Sequence, residues 1–324
     1  NKADTLGLND QLYEFYELGL GDPMGISSVN MLGFGDLLDR IISYFPQSAE
    51  TEETEARAIQ LAIVGRPNVG KSSLTNRLLG ENRTMVADIA GTTRDAIDSL
   101  YQDEAGCRFN IIDTAGIRRK RAIEDESLER YSVLRAIAAI RRCDVALLMI
   151  DANDGVTEQD TKIAGLIHDE GKAVIVAVNK WDMLDKETGT FEKYRKQVLE
   201  DLKFMSYAPV LFISAKSGQR VSMVLGKVKE VYETACRRIT TGVLNDVLND
   251  AMNALQPPLQ GGRRLKIYYA TQQGICPPTF IFFVNDEKLM FFAYERYLEN
   301  YFRKSFVLNG TPIRFILREK KKEE

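Results

Sequence analysis

Four short strand-like segments, apolar throughout or at most positions, organise the middle of the chain. Residues 58–64 (Ala-Ile-Gln-Leu-Ala-Ile-Val), 108–112, 174–178 and 210–213 are each strand-length and end on turn or polar residues, a pattern that predicts buried strands. Between the first two, residues 73–79 carry helical spacing, with Gly80 placed as the helix stop. Past about residue 238 the pattern changes. Leu244, Val247, Leu248, Ala251 and Leu255 share one helical face over 241–255, and Pro257-Pro258 and Gly261-Gly262 then interrupt the chain. Residues 264–270 and 279–284 read as strands, 289–304 as an aromatic-rich helix and 312–317 as a last strand. The order α-β-β-α-β predicts a small sheet with helices on one face. Residues 46–56 are acidic and poor in apolar side chains, which predicts a flexible linker.

The 324 residues suggest two domains and part of a third. Lys+Arg 43 against Asp+Glu 46 leaves a net charge of −3, so any basic surface is local and no DNA partner is expected. No apolar run approaches 18 residues, and no membrane partner is expected. Cys107, Cys143, Cys236 and Cys276 lie far apart without a CxxC pair, which argues against a zinc ribbon and fits a reducing cytoplasm. A single histidine, His168, leaves little scope for a Ser-His-Asp triad and reads as structural.

Chemistry starts at Gly65-Arg66-Pro67-Asn68-Val69-Gly70-Lys71-Ser72-Ser73. This G-x-x-x-x-G-K-[ST], between a strand and a helix, is a phosphate loop. Glycines let backbone N–H groups wrap a phosphate, the helix N-terminus adds partial positive charge, Lys71 adds a full one, and the Ser72 hydroxyl suits Mg²⁺. Asp113-Thr114-Ala115-Gly116 follows the second strand; the Asp holds Mg²⁺ through water and the Gly N–H meets a γ-phosphate. Asn179-Lys180-Trp181-Asp182 follows the third. A carboxylate at 182 accepts from guanine N1–H and N2–H₂, donors that adenine does not present together, while Asn179 braces the loop and the Lys180 stem lies on the base. Ser214-Ala215-Lys216 follows the fourth, offering backbone N–H groups to guanine O6. Ligands of open α/β sheets bind where these motifs fall, at the carboxyl ends of strands. The segment resembles a small GTPase domain of the translation-factor-related class, which implies an α/β, doubly wound, mostly parallel sheet and GTP/GDP as ligand.

For hydrolysis, Thr93 within Gly91-Thr92-Thr93-Arg94-Asp95 is the candidate that closes over Mg²⁺ and γ-phosphate. Ile117 stands where many GTPases carry a water-orienting Gln. The Gly-Thr-Thr-Arg-Asp loop and Asn68 resemble the potassium-activated GTPases, which implies K⁺ beside the phosphates in the electrostatic role of an arginine finger. The candidate catalytic set is Thr93, Asn68, Lys71 and Gly116; the Mg²⁺ set is Ser72, Thr93 and Asp113, with Asn68 for K⁺.

The first residues repeat this grammar. Asn1-Lys2-Ala3-Asp4 parallels 179–182, and Ile26-Ser27-Ser28 parallels Ile213-Ser214-Ala215, each followed by a helix. Residues 1–45 therefore read as the back half of an earlier GTPase domain whose phosphate loop lies upstream, and Asn1, Lys2 and Asp4 are expected to bind nucleotide poorly or not at all. The full division is 1–45, the linker 46–56, a complete GTPase domain at 57–235, a small domain at 236–318 and a charged tail at 319–324.

The last domain carries Lys266-Ile-Tyr-Tyr-Ala-Thr-Gln272, Pro277-Pro-Thr-Phe280, Phe283-Val-Asn285, Tyr294-Glu-Arg-Tyr-Leu-Glu-Asn300 and Gly310-Thr-Pro-Ile-Arg314. These stretches resemble the KH-like C-terminal domain of the double-GTPase family called Der or EngA, and the tandem arrangement resembles that family over the whole chain. The resemblance implies a GTP-hydrolysing switch in ribosome biogenesis, with the large ribosomal subunit and its rRNA as partners and the KH-like domain docked on the GTPase domain. No G-x-x-G clamp is present, which argues against KH-style single-strand binding. Tyr268, Phe280, Phe282, Phe292, Tyr297 and Tyr301 read as core before they read as base-stacking platforms. The basic run Arg118-Arg119-Lys120-Arg121 lies in the segment expected to respond to loss of γ-phosphate. An RNA-modification partner and a non-hydrolysing rRNA scaffold are the alternative functions.

Overall fold

The structure is a computed structural model, and it describes residues 15, 23–28, 33–44, 57–81, 98–103, 106–112, 127–184 and 189–319. Asn1, Lys2, Asp4, the linker 46–56, Thr93, Asp113, Thr114, Ala115, Gly116, Ile117 and the run 118–121 lie outside the described residues.

The central sheet has six strands: β1 (Ile59–Val64), β2 (Ser99–Gln102), β3 (Arg108–Ile112), β4 (Val145–Asp151), β5 (Ala173–Asn179) and β6 (Val210–Phe212), in the order β2-β3-β1-β4-β5-β6. All pairings are parallel except β2 with β3. Every residue of β4 and β5 is buried, as expected of strands covered on both faces. Alternate side chains feed two cores. Val145, Leu147 and Met149 of β4 pack toward α2 (Lys71–Glu81) and α6 (Ser222–Ala235). Ala146, Leu148 and Ile150 pack toward α3 (Ser127–Arg142), α4 (Glu158–Asp169) and α5 (Thr190–Asp201). This is the doubly wound α/β arrangement, and β4 and β2 are two strands the apolar pattern had not singled out.

Gly80 does not stop its helix. α2 runs through it to Glu81, and a Cβ at Gly80 would meet nothing within 4 Å, so the residue is a solvent-facing helical position rather than a left-handed cap.

The C-terminal elements are α7 (Thr241–Ala254), β7 (Leu259–Gln260), β8 (Arg263–Arg264), β9 (Ile267–Gly274), β10 (Thr279–Val284), α8 (Phe292–Phe306) and β11 (Arg314–Glu319). β10 lies between antiparallel β9 and parallel β11, and Phe280, Phe282, Leu298 and Phe302 fill the core under α7 and α8. The expected strand at 264–270 is displaced. Arg263 and Arg264 pair instead with Leu259 and Gln260, and the Asn285 side chain and backbone bind Lys266, so the main strand begins only at Ile267. The aromatic residues divide: Phe280 and Phe282 are core, Tyr297 and Tyr301 partly buried against it, whereas Tyr268 and Phe292 are exposed.

Cys236 and Cys276 are disulfide-bonded, with Cα atoms 5.2 Å apart. This corrects the reading of four separated thiols. The α6 end and the β9–β10 turn meet, and Cys276 N–H also donates to Ala235 O at 3.1 Å. The central sheet and the C-terminal elements also touch at Gly310, whose N–H donates to Tyr207 O at 2.8 Å and whose C=O accepts from Val174 N–H at 2.7 Å. A Cβ there would stand 2.6 Å from Val231 Cγ2, so glycine permits the approach. Ser27, like Ser214, is fully buried, and a helix, α1 (Phe34–Tyr44), follows it as α6 follows Ser214. No helix among the described residues is long and apolar enough to cross a membrane.

Candidate functional site

The loop from β1 to α2 curls through three positive φ angles: 145° at Gly65, 63° at Asn68 and 101° at Gly70. Glycine is required at two of them. A Cβ at 65 would lie 2.5 Å from Met149 O, and one at 70 only 2.2 Å from Asn179 Nδ2. Lys71 turns back into the curl, its Nζ donating to Gly65 O at 2.7 Å and Arg66 O at 2.6 Å. Leu74 N–H to Gly70 O (2.9 Å) starts the helix. Ser72 is half-buried in the first turn, Asn68 and Ser73 are exposed, Pro67 is half-buried, and Val69 is sealed in the core. A glycine-shaped hollow with an ammonium at its rim and a helix N-terminus beneath is chemically matched to a phosphate chain.

Asn179, only 2% exposed, ends β5 and joins two loops. Its Nδ2 donates to Val69 O at 2.7 Å and its Oδ1 accepts from Ala215 N–H at 2.8 Å. One of its two amide hydrogens and its side-chain oxygen are thereby committed to the fold. The following Lys180 adopts a left-handed φ of 62°, and Trp181 N–H then donates to Ile213 O at 3.1 Å. The loop after β6 is closed by its own bonds: Ser214 N–H to Gln219 O (3.0 Å) and Ser217 N–H to Ser214 Oγ (3.1 Å).

The sequence-expected residues separate once placed. Gly65, Arg66, Asn68, Gly70, Lys71, Asn179, Ala215 and Lys216 belong to the connected loops just described. Asp182 is exposed, in the short 3₁₀ turn Trp181–Met183. The Lys180 ammonium is bonded to Asp151 Oδ2 at 2.5 Å, which fixes the stem from its far end. Trp181 is a core residue, with ring centroids 4.3 Å from Phe212 and 5.4 Å from Tyr194.

Three acidic residues outside the four motifs also take part. Asp151 pairs with Lys180, and burial, which works against its charge, is outweighed by that ammonium and by Asn153 N–H, so its carboxyl lies below the usual range. Asp154 bonds the Arg66 guanidinium, raising the Arg66 pKa further. Asp160, fully buried, completes a capping box with Thr157 at the start of α4 and sits 3.7 Å from Arg66 Nε. The turn Asp151-Ala-Asn-Asp-Gly155 and the spacing Thr157-x-x-Asp160 are the signals that mark them. His168 is structural as expected, its Nδ1 3.0 Å from Tyr207 OH.

Comparison with known proteins agrees with this geometry. Residues 60–180 match the family described as 50S ribosome-binding GTPase, and residues 238–318 match the KH-domain-like C-terminal region of EngA bacterial GTPase enzymes. The GTPase Der of Acetivibrio thermocellus is 57% identical over all 324 residues, which cover 73% of its length. The GTPase Der of Ruminiclostridium cellulolyticum is 55% identical over the same span and coverage. That of Alkaliphilus metalliredigens is 53% identical over 320 residues, covering 72% of its length. With a phosphate loop, a braced Asn-Lys-x-Asp turn and identity of this extent, the chain belongs to the Der family of GTPases, enzymes that bind and hydrolyse GTP.

Proposed function

We propose that this GTPase acts as a nucleotide switch in ribosome biogenesis, in cytoplasmic assembly of the large subunit. The observation that carries the reading is the pair of hydrogen bonds that join Asn179 to Val69 and Ala215. It makes the phosphate-holding loop and the base-reading loop one unit, so that phosphate grip depends on which base is seated. In this reading residues 65–73 hold the phosphates with Lys71, Gly116 N–H meets the γ-phosphate, and Thr93 closes its loop over it. Asn179, Asp182 and 214–216 select guanine. Ser72, Thr93 and Asp113 would hold Mg²⁺, and Asn68 would hold K⁺. The described residues suit that role, since Ser72 opens a helix beside an ammonium and Asn68 is exposed in a left-handed turn. Such cations supply positive charge where negative charge grows on the transferred phosphoryl group. With no Gln at 117, phosphate release is expected to be at least about tenfold faster in KCl than in NaCl. Equal multiple-turnover rates at matched ionic strength would contradict the cation assignment and leave Asn68 as a loop brace.

The division at 1–45, 46–56, 57–235, 236–318 and 319–324 is part of the same proposal. The bonds of Gly310 to Tyr207 and Val174, with Arg314 donating to Asp169 O at 3.3 Å, support docking of the KH-like domain against the GTPase domain. The proposed partners are the large subunit and its rRNA, reached in part through Arg118-Arg119-Lys120-Arg121. Co-sedimentation tests this. Large subunits are expected to retain the protein with a non-hydrolysable GTP analogue and to release it with GDP. Reversing charge at Arg119 and Lys120 is expected to weaken the GTP-state complex and flatten its salt dependence. Retention that ignores both nucleotide and these charges would contradict the switch.

A further inference from the structure

We propose that Arg77, on α2, is a positioning residue for guanine recognition. The inference rests on the reading of 214–216 as the guanine loop and adds the element that aims it. The backbone donors of this loop are largely spent within the protein. Ser214 N–H binds Gln219 O, Ala215 N–H binds Asn179 Oδ1, Ser217 N–H binds Ser214 Oγ, and Gly218 N–H binds Ser214 O at 2.9 Å. Lys216 N–H meets no acceptor among the described residues. It is the donor left for the 6-oxo group of guanine, the position at which adenine presents an amino donor instead.

Two clamps flank that N–H. On one side Asn179 holds Ala215. On the other the Lys216 carbonyl accepts from Arg77 Nη1 at 3.4 Å, while Ser214 Oγ holds the N–H of the same peptide unit. The guanidinium also fills the space beside Gly218. A Cβ there would lie 2.6 Å from Nη2 and 2.8 Å from Cζ, and the φ of Gly218 is 85°. Glycine at 218 is what lets the loop close over the guanidinium. Arg77 stands on the helix that begins at Lys71, so one rigid element carries both the phosphate-binding ammonium and the brace of the base loop. A planar fork of donors suits this task better than a point charge.

The test compares nucleotides with and without the 6-oxo group. GDP and 2-aminopurine riboside diphosphate are titrated against the full chain and against Arg77→Gln, Arg77→Lys and Gly218→Ala, with thermal melting of each variant. The wild type is expected to favour GDP. Arg77→Gln is expected to weaken GDP about tenfold while leaving the 2-aminopurine analogue within about twofold, Arg77→Lys to recover part of the loss, and Gly218→Ala to reproduce it. Equal weakening of both nucleotides, or no change in either, would overturn the positioning role. A wild type that holds ADP as tightly as GDP would instead overturn the guanine-site reading itself, and the inference with it.

Discussion

Asn179→Ala is expected to destabilise the GTPase domain by about 3 kcal/mol and to abolish measurable GTP binding, since each buried backbone group left unsatisfied costs about 1–3 kcal/mol. The two groups are the carbonyl of Val69 and the N–H of Ala215, both inaccessible to water. No neighbouring side chain is described as bonding either. Asn179→Asp is the informative companion. It keeps an acceptor for Ala215 N–H but sets a carboxylate oxygen against the Val69 carbonyl, so it is expected to lose phosphate binding while retaining more stability than alanine. Urea denaturation and titration with a fluorescent GTP analogue check both variants. A wild-type midpoint for Asn179→Ala would show that the two loops are not coupled through this side chain.

Gly70→Ala is expected to lower GTP affinity by about 100-fold or more, as a left-handed non-glycine strain of about 1–3 kcal/mol adds to a direct clash. The added methyl would lie 2.2 Å from Asn179 Nδ2 at a φ of 101°, and that amide cannot swing aside without breaking both of its bonds. Gly80→Ala on the same helix is the control. It meets nothing within 4 Å and is expected to stabilise the protein by about 0.5–1 kcal/mol through helix propensity, with unchanged nucleotide binding. Isothermal titration of both variants with GTP decides the matter. Comparable affinities for the two would remove the steric argument for the loop.

Much of this architecture was legible in the residues because local and global signals coincide. An apolar run followed by G-x-x-x-x-G-K-S admits few other folds, and the strands at 108–112 and 279–284 fall where the pattern puts them. What escaped was set by long-range contact. Nothing local tells Lys180 that its ammonium will meet Asp151, or Trp181 that it will sink between Phe212 and Tyr194. The Cys236–Cys276 pair, 40 residues apart, appears only when α6 meets the β9–β10 turn. β9 starts later than the alternation predicts because the Asn285 side chain, nineteen positions away, takes the Lys266 backbone out of the alternating pattern. Arg77 looks like an ordinary solvated helix residue until β6 brings its loop alongside.

A guanine-reading turn and a triphosphate-gripping loop work here as one site. Isothermal titration of the wild-type chain with GTP and with ATP, each with Mg²⁺, measures it directly. GTP is expected to bind at least about 100-fold more tightly, since an unmet purine contact in a site built for hydrogen bonding costs at least about two factors of ten. Equal affinities for the two nucleotides would contradict it.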